Sequence, residues 1–190
     1  FGLLKTEATT PSGNPKDRFH FTRDTAEYVA RSQQGITFGY GATYRLISNS
    51  APRELVIVLV NDSSPAADAG LRRGARIVAV DGVDLINGSD IDTLNAGLWP
   101  KQVNEDHNFE VLDPGATERR KITMTSAQID TDAVPETRII ETDTGKVGYL
   151  LFTDHILTAE QQLADAVTQM RDANVTDLVL DLRYNQGGFL

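Results

Sequence analysis

Apolar residues in this chain form continuous runs in some places and alternate with polar residues in others. Three continuous runs have the length and β-branched character of buried strands, at residues 55–60, 147–152 and 178–182. The last run is so continuous that we expect both of its faces to be covered. Residues 42–46 instead alternate, with Ala42, Tyr44 and Leu46 on one face, which is typical of a half-buried strand.

Helical spacing follows capping residues in two further stretches. A helix is predicted over residues 91–98, after a cap at Ser89 or Asp90. A second helix is predicted over residues 159–173, with Thr158 as its cap. Between the runs at 147–152 and 178–182, this second helix makes a strand–helix–strand unit, which requires a parallel pair of strands.

The densest local pattern is SSPAADAGLRRGARIVAVDG, residues 63–82. Its parts are, in order, a serine cap, Pro65, a short helix at 66–69, Gly70, a strand at 75–80 and an Asp81-Gly82 turn. This order of strand, one-turn helix, strand and tight turn resembles the centre of a PDZ domain. The alternative is an unrelated β-rich domain with an Ala/Gly turn.

The segment Phe38-Gly39-Tyr40-Gly41 falls where PDZ domains have their carboxylate-binding loop. Glycines allow successive backbone N–H groups to face one concavity, which can hold a carboxylate without a cation. We therefore predict carboxylate contacts from the backbone of Gly39, Tyr40 and Gly41. The strand that begins at Ala42 would offer an open edge to an extended peptide. A tight turn is the other explanation of the two glycines.

The resemblance also assigns a role to the helix at 91–98, which would form the other wall of the peptide groove. Ile91 and Leu94 are then candidate walls of the pocket for the last side chain of the ligand. The alternative is that both are ordinary core residues.

Composition narrows the classes of partner. Lys and Arg number 18 against 27 Asp and Glu, a net charge of −9, and the longest basic cluster is Arg119-Arg120-Lys121, so we expect no nucleic-acid partner. The chain has no cysteine and three scattered histidines, which excludes disulfides and gives no metal-ligand spacing. We therefore expect no metal and no cofactor. No apolar run approaches the length of a membrane span.

The segment Asp181-Leu182-Arg183-Tyr184-Asn185-Gln186-Gly187-Gly188 closely resembles the D-L-R-x-N-x-G-G motif of the C-terminal processing (tail-specific) serine peptidases. That family carries a PDZ domain just ahead of its catalytic core. The resemblance implies an α+β fold, in which a PDZ-type β-sandwich or barrel with two helices precedes an incomplete βαβ piece of the peptidase core. The implied division is a linker and helix at 1–31, a PDZ domain at 32–130 and the start of the core at 131–190.

The two glycines of the motif are candidates for catalysis. A backbone N–H fixed at the carboxyl edge of a sheet can stabilise the oxyanion of acyl transfer, and the resemblance implies that Gly187 or Gly188 supplies such a donor. We expect Asp181, Arg183 and Asn185 to brace the turn by hydrogen bonds. The alternative is a merely flexible turn.

The match departs from the family at the nucleophile and the base, which in the family are a serine and a lysine downstream of the glycine pair. Here the last serine is Ser126 and the last lysine is Lys146. His155 is a lone histidine with no serine beyond it, so no Ser–His–Asp arrangement replaces them. We therefore expect this chain to be inactive by itself, and the full-length protein to use a Ser/Lys pair.

The expected function is that of the N-terminal and PDZ portion of an endopeptidase whose PDZ domain binds the C-termini of proteins or peptides. A non-catalytic PDZ adaptor is one alternative, and an acyl-CoA-processing enzyme of the crotonase type is another. Because the chain starts at Phe1 rather than Met, we expect a signal or lipid anchor to have been removed. Together with this start, the resemblance to the peptidase family implies a periplasmic or cell-envelope location. The sequence does not indicate whether the chain self-associates.

Overall fold

The computed structural model describes residues 6–17, 22, 24–185 and 187–188. Its fold is mixed α+β, as predicted. The elements are α1 (Thr25–Val29), a π-helical turn (Ala30–Gln34), β1 (Ile36–Gly39), β2 (Ala42–Ser48), β3 (Glu54–Val60), α2 (Pro65–Asp68), β4 (Arg76–Val80), β5 (Val83–Asp84), α3 (Ile91–Leu98), β6 (Asp106–Leu112), β7 (Arg119–Thr125), β8 (Ala127–Asp130), β9 (Glu136–Thr142), β10 (Gly145–Leu151), α4 (Ala159–Asp172) and β11 (Asp177–Asp181).

The largest sheet has the strand order β2-β3-β4-β6-β7, with β5 paired to β4. All of its strand pairs are antiparallel. Its core contains apolar side chains of the strands together with side chains of α2 and α3, such as Ile57, Ala66, Leu98 and Phe109. The order places β2 at one edge of the sheet, where a peptide strand can pair with it.

The centre of this sheet forms as the sequence predicts. The Ser64 side chain accepts a hydrogen bond from the Ala67 N–H and caps α2, and Gly70 ends the helix at φ 67°. Asp81 and Gly82 have φ values of 49° and 81°, which are the paired positive angles of a type I′ hairpin turn. This turn reverses β4 into β5.

Helix α3 begins as expected, because the Asp90 side chain accepts hydrogen bonds from the backbone and hydroxyl of Thr93. It lies close to the sheet at Gly97, where a β-carbon would collide with Val80. The same place holds His107, whose Nδ1 is 2.6 Å from an Asp81 oxygen. His107, in β6, is therefore paired with Asp81, and only 15% of its side chain is exposed.

A two-stranded ribbon connects the two ends of the PDZ-like region to the rest of the chain. Strand β1 pairs antiparallel with β8, from Ile36 opposite Asp130 to Gly39 opposite Ala127. The sequence did not predict β8 or β9, because residues 127–144 are mostly polar and show no strand pattern. Both strands contain several polar residues and lie at sheet edges, so they lack the continuous apolar runs of the central strands.

The remaining strands form a second sheet of order β11-β10-β9. Strands β10 and β11 are parallel and α4 connects them, which confirms the predicted βαβ unit. Helix α4 packs over β10, since Met170 and Ala166 join Leu150 in one apolar cluster. Thr158 precedes α4 as predicted, although its side chain makes no capping hydrogen bond.

The prediction that the run at 178–182 is covered on both faces is wrong for the described part of the chain. Leu178, Val179 and Leu180 are each about half exposed. The reason is that β11 is an edge strand and α4 covers the neighbouring β10 instead. No helix within the described ranges is long and apolar enough to cross a membrane.

Candidate functional site

The loop from Gly39 to Gly41 lies between the ribbon strand β1 and the edge strand β2. Its two glycines have φ values of 145° and 74°, which an L side chain rarely adopts. A β-carbon on Gly41 would also collide with the side chain of Ser64, while one on Gly39 would meet open space. Glycine is therefore required at position 41 by both its φ angle and the lack of space, and at position 39 by its φ angle alone.

The carbonyl groups of this loop are bonded, while two of its N–H groups are not. The Tyr40 carbonyl accepts a hydrogen bond from the Ala66 N–H at 2.9 Å, and the Gly41 carbonyl accepts one from the Asn61 N–H at 2.7 Å. No described residue accepts a hydrogen bond from the N–H of Tyr40 or Gly41. The carbonyl groups of Tyr40 and Gly41 thus hold the loop in place, while their N–H groups remain available to bind an anion.

The predicted groove residues differ in exposure. Phe38 is 49% exposed and Ile91 is 41% exposed, whereas Leu94 is 4% exposed and belongs to the core of the large sheet. Ala42 is partly buried against the same core. Phe38 and Ile91 are therefore accessible at the surface, whereas Leu94 is a core residue.

Two tyrosines, one just before β2 and one within it, contact the end of α3. The Tyr40 hydroxyl donates to the Gly97 carbonyl of α3 at 2.9 Å. The Tyr44 ring meets the Trp99 ring edge to face, with 6.4 Å between the centroids. Burial raises the pKa of both hydroxyls above the ordinary tyrosine value, so both stay protonated at neutral pH.

The Gly187-Gly188 turn lies against the segment that follows β10. His155 N–H donates to the Gly187 carbonyl at 3.0 Å, and Gly187 N–H donates to the Asn185 side chain at 2.8 Å. No described residue accepts from the Gly188 N–H. A β-carbon on Gly188, at φ 140°, would collide with the His155 carbonyl. Only glycine fits there without a shift of the backbone.

Asp181 is the centre of a hydrogen-bond network that braces this turn. Its carboxylate accepts hydrogen bonds from the Arg183 guanidinium and backbone, and from the Tyr149 hydroxyl at 2.7 Å. The hydrogen bonds from Arg183, followed by the one from Tyr149, hold the pKa of Asp181 far below its usual value. Arg138 of β9 stacks over the Tyr149 ring, 4.9 Å from its centroid.

The Gly39–Gly41 loop leads into the large sheet, and the Gly187-Gly188 turn follows β11 of the second sheet. The structure does not bring their predicted residues into one cluster. The Arg73 guanidinium lies 5.1 Å from the centroid of the Tyr184 ring and so connects the two regions. Sequence reasoning missed Arg73 and Tyr44. For Tyr44 a signal existed, since the alternation places it on the same face as Ala42.

Two family models match this chain. Residues 45–97 match the model described as PDZ domain, and residues 146–190 match the model described as peptidase family S41. The first match begins within β2 and ends within α3, and the second begins in β10 and includes the glycine turn.

Curated relatives match over most of the chain. The carboxyl-terminal-processing protease of Synechocystis sp. is 28% identical over 150 residues, which cover 79% of this chain and 35% of that protein. The chloroplastic carboxyl-terminal-processing peptidase 3 of Arabidopsis thaliana is 29% identical over 206 residues, which cover 100% of this chain and 37% of that protein. The chain thus spans about a third of the length of the curated relatives it matches.

Solved structures show the same fold. A protein assigned to the S41 proteases from Bacteroides fragilis superposes with a TM-score of 0.57 at 24% identity, covering 83% of this chain and 43% of that one. The photosystem II D1 C-terminal processing protease superposes with a TM-score of 0.56 at 22% identity, covering 82% and 42%. Together with the family models, these findings confirm the resemblance predicted from the sequence.

Proposed function

We propose that this chain, which combines a PDZ domain with a segment of peptidase family S41, is part of a carboxyl-terminal-processing serine endopeptidase and captures the C-terminus of the substrate. The supporting observation is the arrangement of the loop at Gly39–Gly41. Its carbonyls are anchored, while the N–H groups of Tyr40 and Gly41 have no acceptor in the described part of the chain. A C-terminal carboxylate is the ligand that such a loop accepts.

The extended part of the substrate would pair with the outer edge of β2. That strand is at the edge of the large sheet, so its outer backbone groups can form a ladder with a peptide. The exposed side chains of Phe38 and Ile91 would contact the ligand. The captured tail would then present or gate the preceding segment for cleavage.

The glycine turn would supply one donor of the oxyanion hole. Of the two candidates we assign the role to Gly188, because the N–H of Gly187 already donates to the Asn185 side chain. The N–H of Gly188 has no acceptor among the described residues. A fixed donor of this kind stabilises the negative charge that develops on the scissile carbonyl oxygen.

The nucleophile and the base are not assigned within this chain. Ser126, the last serine, is buried, and its hydroxyl donates to the Gln102 carbonyl. We propose that a Ser/Lys pair elsewhere in the full-length protein performs the chemistry, and that residues 1–190 alone are inactive. We also propose the division into 1–31, 32–130 and 131–190, and a location outside the cytoplasm.

A binding measurement tests tail capture directly. A fluorescent peptide that ends in Leu-Ala-Ala is titrated with the chain and followed by fluorescence anisotropy, beside the same peptide with an amidated C-terminus. We expect the free acid to bind at least about tenfold more tightly, because the amide lacks the charge that the loop recognises. Equal affinities, or no binding of either peptide, would contradict tail capture by this loop.

A further inference from the structure

We propose that the Tyr44 hydroxyl is a ligand-binding group in the groove between β2 and α3, and that it selects peptide tails whose inward side chain can form a hydrogen bond. This inference rests on the proposed function, since it names the chemistry of the tail that the groove accepts. An apolar groove would instead prefer the isostere without a hydroxyl, because burial of an unpaired hydroxyl costs free energy.

The first support is the lack of a partner for this hydroxyl. The Tyr44 oxygen is buried, and no described residue forms a hydrogen bond with it. The neighbouring Tyr40 shows the usual situation, because its hydroxyl donates to the Gly97 carbonyl. A buried hydroxyl without a partner destabilises a folded protein. A ligand group that reaches it would recover the missing hydrogen bond.

The second support is the position of Tyr44 beside the predicted path of the peptide. It lies in β2, whose outer edge is open, and it packs on the same core as Ala42. The pairing of β2 with β3 is irregular between Thr43 and Tyr44, and such irregularities redirect side chains near binding sites. Trp99, 55% exposed, covers the Tyr44 ring from the end of α3.

The chemistry of the ligand follows from this geometry. A peptide paired with β2 directs every second side chain into the gap between β2 and α3. Burial raises the pKa of the Tyr44 hydroxyl, so it stays protonated and can donate as well as accept. Small hydroxyl side chains such as those of threonine and serine match both abilities. The groove would therefore prefer threonine to its isostere valine at one inward position.

Three peptides test the preference, with free C-termini that end in Val-Leu-Val, Thr-Leu-Val and Val-Leu-Thr. Trp99 is the single tryptophan of the chain, so its fluorescence reports binding at the groove itself. We expect one of the two threonine peptides to bind the wild-type chain about fivefold more tightly than the valine peptide, because it recovers one hydrogen bond. In Tyr44→Phe this advantage disappears, and in the control Tyr28→Phe, which changes an exposed tyrosine of α1, it remains.

The outcomes separate the two proposals. If all three peptides bind wild type equally, or if the threonine advantage survives in Tyr44→Phe, tail capture stands and the role of Tyr44 is overturned. If no peptide binds, tail capture fails and the role of Tyr44 fails with it. Thermal unfolding of Tyr44→Phe establishes that the variant is folded, so that a lost preference reflects the hydroxyl.

Discussion

Tyr40 and Tyr44, four residues apart, differ in whether their buried hydroxyl groups have a hydrogen-bond partner. Tyr40 is 2% exposed, and its hydroxyl donates to the Gly97 carbonyl, which connects the Gly39–Gly41 loop to α3. Tyr44 has a buried hydroxyl without a partner in the described part of the chain. The first arrangement stabilises the fold. The second costs free energy in the unliganded chain.

Removal of each hydroxyl should therefore change stability in opposite directions. Tyr40→Phe leaves the Gly97 carbonyl unsatisfied, and we expect it to lower the free energy of unfolding by about 1 kcal/mol. Tyr44→Phe removes an unsatisfied group, and we expect no loss or a small gain. Urea unfolding followed by the fluorescence of Trp99 measures both. Equal losses in the two variants would show that the Tyr44 hydroxyl is satisfied in solution.

The sequence could not distinguish these two residues. Alternation predicts that Tyr44 faces inward, and the flanking glycines mark Tyr40 as part of a loop, but the partner of a hydroxyl depends on residues far along the chain. Gly97 is 57 positions from Tyr40. His107 shows the same limit, because its carboxylate partner, Asp81, belongs to the turn after another strand.

At the scale of elements, local signals predicted the central parts of both sheets. The run at 55–60, the Asp81-Gly82 turn and the capped helix at 91–98 each carry their own pattern, and each forms nearly as expected. Strands β8 and β9 carry no such pattern, because edge strands are partly polar. Their formation depends on pairing, because β8 pairs with β1, which is distant along the chain, and β9 pairs with β10, the strand that follows it.

The network around Asp181 holds the elements of the second sheet together, and it should make that sheet sensitive to acid. The folded state lowers the pKa of Asp181 through the hydrogen bonds of Arg183 and Tyr149. Such a group stabilises the folded state above its unfolded pKa of about 3.9, and the contribution is lost as the pH falls further. We therefore expect Asp181→Asn to have a lower melting temperature than wild type near neutral pH.

Acidification should reduce this difference. Below about pH 4 the unfolded carboxyl of wild type is increasingly protonated, so its melting temperature should approach that of Asp181→Asn as the pH is lowered further. Circular dichroism melts at a series of pH values measure the gap. Asp177→Asn is the matched control, because Asp177 is an exposed carboxylate of the same strand. A gap that is constant with pH would contradict a lowered pKa of Asp181.

At the scale of the whole molecule, two routes join the Gly39–Gly41 loop to the Gly187-Gly188 turn. Gly39 is the last residue of β1, so the loop continues directly into the β1/β8 ribbon. At the other end of that ribbon, Thr131 N–H donates to the Gly35 carbonyl, and Leu157 N–H donates to the Ser32 carbonyl. The second route is the contact between Arg73, in the loop before β4, and the ring of Tyr184.

The Arg73–Tyr184 contact should stabilise the turn after β11 from outside its own sheet. A cation over an aromatic ring at an exposed site contributes about 0.5–1 kcal/mol. In Arg73→Ala we therefore expect the amides of this turn to exchange with solvent roughly two- to fivefold faster, while β3 keeps its protection. Arg72→Ala is the matched control, because Arg72 is a neighbouring exposed arginine that acts on Asp113 instead. Hydrogen exchange by mass spectrometry resolves the two regions.

If Arg73→Ala and Arg72→Ala change exchange in the turn equally, the stacking contact does not stabilise the turn. If only Arg73→Ala accelerates exchange in the turn, the loop before β4 stabilises the segment to which we assign the oxyanion donor.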